Sequence, residues 1–301
     1  MRPADGPTRP DAALGIAIVN YRNAHDTAEL VRSLAAANHS ATASVAVAVV
    51  DNSDQVAELQ AVVRFAREQG MHAQLIHGHG NVGYAAGNNL AAAWLLREGA
   101  DVLWVLNPDT RLTDGAVTAV LDIRRHGERA IGATAVAGTG RLSHPGFGVL
   151  DLWTGQSGQF SPGATGGSRK LKYVGGHSLV VTRRAWEDLG GLSDDFFLFY
   201  EEADLAVRCN RLGIPLTALP RPTVAHASGA TTGATTDLIR KSTLTYFHAS
   251  RSCMIFFRKH YPRRLPIAVT ARLAYAAKVF LRGAVGAAGA VLRGLAAGLR
   301  A

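Results

Sequence analysis

The chain has 301 residues, 48% of them hydrophobic, and carries 32 basic against 23 acidic side chains for a formal net charge of +9. Length and apolar content suffice for a large buried core, as one long α/β domain or one domain plus an appendage. Two cysteines, Cys209 and Cys253, show no metal-ligand spacing, and both read as small core residues of a reducing compartment.

In chain order, residues 1–13 open with three prolines, one glycine and no apolar periodicity in the first dozen, which predicts a disordered tail without a secretory segment. Leu14 to Asn20 and Val45 to Val50 are apolar runs that stop on polar residues, as buried parallel strands do. Leu30, Val31 and Leu34 give a helical stripe between them. Val56, Leu59, Val62, Val63 and Ala66 give another, closed by Gly70. A strand at Gln74 to His77, a glycine-rich turn, a helix around Leu90 to Leu96 and a strand at Val102 to Leu106 complete the series. Alternating strands and helices predict a Rossmann-like, mostly parallel sheet flanked by helices.

The second half is less regular. Ile131 to Ala137 reads as a strand, and 138–170, rich in Gly, Ser, Thr and Pro, as a long surface loop or lid. Leu179 to Thr182 reads as a strand, Arg183 to Leu189 as a short helix, and Glu201 to Leu212 as a helix capped by Gly213.

Charge is unevenly placed. No acidic residue follows Asp237, whereas twelve basic ones do, so the preceding part is nearly neutral and the C-terminal part strongly basic. No uncharged apolar run reaches the ~18 residues of a membrane-spanning helix. On a helix advancing about 100° per residue, Lys278, Arg282, Arg293 and Arg300 share a stripe opposite Phe280, Ala284, Ala287, Val291 and Leu295. Gly283, Gly286, Gly289, Gly294 and Gly298 each weaken such a helix by up to ~1 kcal/mol, so this extension is expected to order only on an anionic membrane or a partner. The plainer alternative is a loosely helical solubilising tail.

Chemistry concentrates where strands end. Asn20-Tyr21, Asp51-Asn52-Ser53-Asp54, Gly80 to Tyr84 with Gly87-Asn88-Asn89, and Asn107-Pro108-Asp109 all follow apolar segments. A single cluster is explained by caps and turns; four at one sheet edge converge on the crevice where open α/β sheets bind ligands. The chain has neither a dinucleotide glycine fingerprint nor a phosphate loop. Asp51 suits a base N–H, with Asn81 and Asn89 supplying amides. Asp109 suits a hard divalent cation bridging diphosphate oxygens, and His226 offers a nitrogen ligand, a set that fits Mn²⁺ as well as Mg²⁺. Glu201, Glu202 and Asp204 open a helix after an aromatic run. Acidic residues there complement the helix dipole, and one desolvated carboxylate would serve as a general base.

Taken in order, VNY, VDNSD, GNVGYAAGNN, LNPDT, YVGGHSLVVTRRAWEDLGGL, FFLFYEEADLAVR and AHASGAT resemble family-2 glycosyltransferases of the rhamnosyltransferase-like branch over residues 14–260. The resemblance implies a GT-A fold and inverting transfer of a hexose, led by L-rhamnose from dTDP-L-rhamnose, with a UDP-hexose as the alternative donor. It puts the nucleotide-sugar-binding half at 14–112, with Asn20, Tyr21, Asp51, Asn81, Gly83, Asn88, Asn89 and Asn107. The acceptor-binding half falls at 113–260, with Gly175, Gly176 and His177, and the basic extension at 261–301. Asp109 and His226 stand where the family binds its metal. Glu202 stands where the family has a catalytic aspartate, with Glu201 and Asp204 as alternatives. The expected partners are a nucleoside diphosphate sugar and a glycan, glycolipid or small-molecule acceptor. The expected location is the cytoplasm, peripheral to the inner face of the membrane. A silent glycan-binding module would be expected to have lost Asp109 or the acidic helix start, and a nucleic-acid binder leaves the acidic and amide clusters unexplained.

Overall fold

The computed structural model describes residues 13–38, 43–137, 146–160, 169–226 and 242–301. The expected tail, apart from Ala13, lies outside them, as do residues 227–231 of the AHASGAT stretch.

Strands β1 (Leu14–Asn20), β2 (Val45–Asp51), β3 (His72–Ile76) and β4 (Val102–Leu106) pair in parallel, with α1 (Ala24–Asn38), α2 (Val56–Glu68) and α3 (Tyr84–Arg97) as crossovers. β1, β2 and β4 are buried along their whole length, which is why they read as unbroken apolar runs. Successive side chains go to opposite faces: Ile16, Ile18, Val47, Val49 and Trp104 meet α1 and α2, whereas Ala17, Val19, Ala46, Ala48 and Leu103 meet α3.

α3 begins at Tyr84, well before the expected Leu90. Gly83, at φ 88°, turns the chain into it, and Gly87 lets it lie on β1, where a Cβ would stand 3.0 Å from Val19 Cγ2. The glycine-rich stretch is therefore a turn plus a first helical turn, and it carries Asn88 and Asn89 on the helix.

The sheet continues through β5 (Thr110–Leu112), α4 (Ala116–Leu121) and β6 (Ile131–Ala137). The expected lid at 138–170 is corrected where it is described, and residues 138–145 and 161–168 lie outside the described ones: β7 (Phe147–Asp151) and β8 (Ser157–Gln159) form, with β9 (Lys170–Val174), a small antiparallel sheet in the order β8-β7-β9. Phe147 and Val174 face one core cluster and Leu150 and Leu171 another, so the short strands bury residues on both faces and show no simple alternation in the sequence. β10 (Ser178–Thr182), α5 (Arg183–Leu189), α6 (Glu201–Leu212) and β11 (Leu216–His226) follow, giving the main sheet the order β3-β2-β1-β4-β10-β6-β11-β5. β10 runs antiparallel to both β4 and β6. Trp104 Nε1 donates to Ser178 Oγ at 2.8 Å across that seam, so the polar tip of a fully buried indole is satisfied.

The C-terminal segment corrects the sequence expectation. α7 (Thr243–His260), α8 (Leu265–Leu281) and α9 (Val285–Arg300) pack on the body without any external surface. The glycines that weaken an isolated helix permit this. A Cβ on Gly294 would stand 2.2 Å from Phe247 O, and one on Gly298 2.3 Å from Arg251 O, so α9 lies backbone to backbone on α7. Gly283, at φ 84°, ends α8 and separates Lys278 and Arg282 from Arg293 and Arg300, so the basic stripe is not continuous on one helix. No helix among the described residues is long and apolar enough to cross a membrane.

Candidate active site

The register Asn20↔Asp51 between β1 and β2 places the first two polar clusters side by side at the carboxyl edge of the sheet. Asp51, 3% exposed, accepts through Oδ1 from Ser53 N and Ser53 Oγ, both at 2.9 Å, while its buried Oδ2 has no hydrogen-bond partner. Asn20 donates to Ser53 Oγ and Gln55 Oε1, each at 3.1 Å, and accepts from Thr27 Oγ1 at 3.0 Å. Its amide is used up in shaping the edge. Asn52 Nδ2 donates to Gly83 O at 3.0 Å, and Asn81 Oδ1 accepts from Gly83 N at 3.0 Å, which fixes the glycine-rich turn beside Asp51. Asn52 Oδ1 and Asn88 Oδ1 are also buried acceptors without partners. A buried acceptor left without a donor costs about 1–3 kcal/mol, which a donor reaching this edge would offset. Tyr21 is partly exposed beside it, with the Arg22 guanidinium 5.4 Å from its ring centre. Asn89 has a different role: it grips the 192–194 loop, bonding Leu192 O at 2.8 Å, Asp194 Oδ1 at 2.7 Å and Leu192 N at 3.0 Å.

A three-residue turn between β9 and β10 ties the other clusters together. His177 O accepts from Asn107 N at 3.1 Å, Gly176 O accepts from the Tyr84 hydroxyl at 2.6 Å, and Gly176 N donates to Glu202 Oε1 at 3.0 Å. Gly176 leaves room for this geometry: a Cβ there would stand 2.4 Å from Glu202 Oε1 and displace the carboxylate. A Cβ on Gly175 would likewise crowd the His177 ring at 2.9 Å. The Tyr84 phenol is pushed well above its ordinary range by burial and then by the charges of Glu202, Glu201 and Asp109, carboxylates from two separate stretches. Tyr84 stands where they meet.

The acidic start of α6 separates into three roles. Phe199 and Tyr200 both adopt left-handed backbone, at φ 68° and 72°, an arrangement costing roughly 1–3 kcal/mol per residue that holds the helix start in a defined orientation. Glu202 is partly buried and faces a cavity; burial raises its carboxyl above the usual range, against the lowering effect of its own N–H and that of Gly176. Glu201, 3% exposed, is raised further, by burial and then by Glu202, and its Oε2 has no partner. Asp204 corrects the expectation of a third candidate base. Burial would raise its carboxyl, but the hydrogen bond from His260, the charge and hydrogen bond of Arg208, and the charge of Lys259 outweigh it and hold it at about 2. With Arg208 Nε and His260 Nε2 each at 2.7 Å and Lys259 Nζ at 3.3 Å, it anchors α6 to α7.

Asp109 is 6% exposed, immediately before β5, and the antiparallel register Thr110↔His226 sets β11's last residue at the neighbouring rung. Among the described residues no group of three or more His, Cys, Asp or Glu side chains could hold a metal ion. Asn107 Oδ1, two residues before Asp109, is buried without a hydrogen-bond partner, so oxygen donors of the kind a hard divalent cation prefers cluster at this turn.

The cavity beyond Glu202, about 430 Å³, is within the size range of small-molecule sites, ~300–1,000 Å³. Its walls come from β7 to β9, the start of α6, and α7 and α8. Tyr173, Tyr200, Tyr246, Tyr275 and Arg272 line it, and sequence reasoning missed all five. Tyr200 lay in a noted aromatic run, but nothing in the sequence shows that α8 returns to face it.

No family model matches the chain. It is 25% identical over 210 residues to the low-salt glycan biosynthesis hexosyltransferase Agl10 of Haloferax volcanii, covering 67% of this chain and 62% of that one. It is 32% identical over 139 residues to the uncharacterized protein Rv1525 of Mycobacterium tuberculosis, covering 45% of this chain and 50% of that one. The chain thus spans less than two thirds of both relatives. Among solved structures, the mannosyltransferase PcManGT of Pyrobaculum calidifontis, in complex with GDP-Man and Mn²⁺, superposes with a TM-score of 0.58 at 14% identity, over 99% of this chain and 91% of that one. GalNAc-T7 with UDP, GalNAc and Mn²⁺ gives 0.55 at 12% identity, over 80% and 50%. Residues 1–349 of S. aureus TarS give 0.51 at 11% identity, over 87% and 72%. The chain has a GT-A glycosyltransferase fold.

Proposed function

We propose that the chain is an inverting hexosyltransferase using a nucleoside diphosphate sugar, with Glu202 as its base. The observation that carries this reading is the Gly175–His177 turn, which joins the Asn107 loop, Tyr84 and Glu202 by three hydrogen bonds, Glu202 in turn lining a cavity. Asp51, with a buried oxygen awaiting a donor, takes the base N–H. Glu202, raised by burial, removes the proton of an acceptor hydroxyl held in the cavity. That oxygen bonds to the anomeric carbon, and the bond to the diphosphate breaks with its electron pair leaving on the nucleotide. A single displacement inverts the anomeric configuration and forms no covalent sugar–enzyme intermediate. Asp109 and His226 would hold Mn²⁺ or Mg²⁺, which supplies charge neutralisation for a departing diphosphate.

The sequence resemblance favours dTDP-L-rhamnose as donor, with UDP-hexoses next. The acceptor is a glycan, glycolipid or small natural product. The same reading places the protein in the cytoplasm, touching an anionic membrane through the turn between α8 and α9. There Phe280, Leu281 and Val285 are 55%, 83% and 61% exposed beside exposed Lys278 and Arg282. The test is transfer or slow donor hydrolysis with dTDP- and UDP-hexoses, with Glu202→Gln alongside. Turnover that depends on Glu202 supports the assignment, and unchanged turnover in Glu202→Gln removes it.

A further inference from the structure

The cavity beside Glu202 contains one feature that proton abstraction does not use. Arg272, on α8, reaches into it among tyrosines. Its Nη2 donates to Gly155 O at 2.8 Å and meets Tyr200 Oη at 3.1 Å, and its Nε is buried without a hydrogen-bond partner. Among the described residues no carboxylate pairs with it; its neighbours are the Cys253 thiol, the phenols of Tyr200 and Tyr275, and a backbone carbonyl. Arginine stays protonated in proteins, so a full positive charge stands in a partly open cavity, its own hydrogen bonds made only to neutral groups among the described residues. Removing a cation from water without a counter-charge is expensive, and an anion entering the cavity offsets that expense.

The rest of the lining agrees. Leu150, Phe199 and the four tyrosines offer flat apolar faces with hydroxyl tips, suited to a sugar ring or another cyclic scaffold. Glu202 and Arg272 are the charged residues of this lining, and they come from different elements, α6 and α8. A ligand there meets a carboxylate suited to its hydroxyl at one wall and a guanidinium suited to an anion at another.

We infer that the acceptor is anionic: it carries a phosphate or carboxylate that pairs with Arg272 while a hydroxyl elsewhere on it meets Glu202. This rests on the transferase reading for the role of the cavity, but the anion site itself does not. Gly155 and Tyr200 are then positioning groups. They fix the guanidinium through Nη2, the Cys253 thiol bonds it as well, and the ligand pairs with its charge from the cavity side.

The experiment is calorimetric titration of the full chain with methyl glucoside, glucuronate and glucose-1-phosphate, on the unmodified protein, Arg272→Gln and Arg272→Lys. The expected result is at least roughly tenfold tighter binding of a charged probe than of methyl glucoside, lost in Arg272→Gln and partly kept in Arg272→Lys. The tighter of the two charged probes identifies the anion as carboxylate or phosphate. Equal binding of neutral and charged probes to the unmodified protein overturns the inference whatever the variants do. So does charge preference that survives in a folded Arg272→Gln. Donor hydrolysis by the unmodified protein is followed in parallel. Charge selectivity without hydrolysis keeps the anion site and removes the transferase reading; hydrolysis without charge selectivity does the reverse.

Discussion

Gly176 holds Glu202: its N–H donates to Oε1 at 3.0 Å, and the carboxylate lies so close that a Cβ at residue 176 would stand 2.4 Å from the same oxygen. Adding one methyl group therefore moves the carboxylate without touching its charge. Gly176→Ala is expected to lower kcat at least about tenfold while leaving donor affinity unchanged, because misplacement of a base acts on the chemical step. Steady-state kinetics with a separate donor titration check this. A parallel loss of donor affinity would show that the turn governs more than Glu202.

Glu202→Gln removes the base and keeps the shape. A loss of about 10²–10⁴ in kcat is expected, the range of general-base contributions, with Glu201→Gln far milder because Glu201 is buried away from the cavity lining. Single-turnover rates of the two variants decide the order.

The pH profile carries the same assignment. Burial raises the Glu202 carboxyl, and a base works only when ionised, so activity rises with pH through that raised value instead of levelling off in the ordinary carboxylate range. Replacing Glu201 by Gln removes the neighbour whose own carboxyl is raised partly by Glu202, and is expected to simplify the acid limb to one ionisation. Rates between pH 5 and 9 test both statements.

Asp204 belongs to stability, not catalysis. Its carboxyl is held at about 2 against an ordinary 3.8, so its ion pairs are fully in force above pH 3.8 and are lost as pH falls from there through about 2. The shift corresponds to roughly 2 kcal/mol over that window. Asp204→Asn leaves Arg208 and Lys259 without their counter-charge and is expected to cost about 3–5 kcal/mol, read as a lower denaturation midpoint at pH 7. A midpoint equal to the unmodified protein's would place the cluster among dispensable surface pairs.

Much of this molecule was legible from its residues, and the exceptions share a cause. β1, β2 and β4 announced themselves because strands buried on both faces are apolar throughout, and the ligand edge followed from the polar residues at which each one stops. Arg183–Leu189 and Glu201–Leu212 carried their own end signals. β7, β8 and β9 are strands of only three to five residues set among turn residues, so their pattern reads as a loop. The C-terminal glycines were misread because their value is tertiary: Gly294 and Gly298 weaken α9 alone and allow its backbone contact with α7. Arg272 and Tyr275 were invisible as site residues for the same reason, since only the return of α8 brings them to Glu202's cavity.

That contact gives its own prediction. Gly298→Val inserts a side chain where a Cβ already meets Arg251 O at 2.3 Å, and it is expected to cost about 1–3 kcal/mol by forcing α9 off α7. Because α7 and α8 wall the cavity, binding there should weaken with the fold; thermal melts and probe titrations measure the two together.

The most direct test of the central claim is calorimetric binding of dTDP-, UDP- and GDP-hexoses with and without Mn²⁺, repeated on Asp51→Ala and Asp109→Ala. The account predicts selective, metal-enhanced binding of a donor to the unmodified protein. Asp51→Ala weakens it whether or not metal is present, and Asp109→Ala abolishes the metal's contribution. Absence of binding to every donor, or binding indifferent to both substitutions, would contradict it.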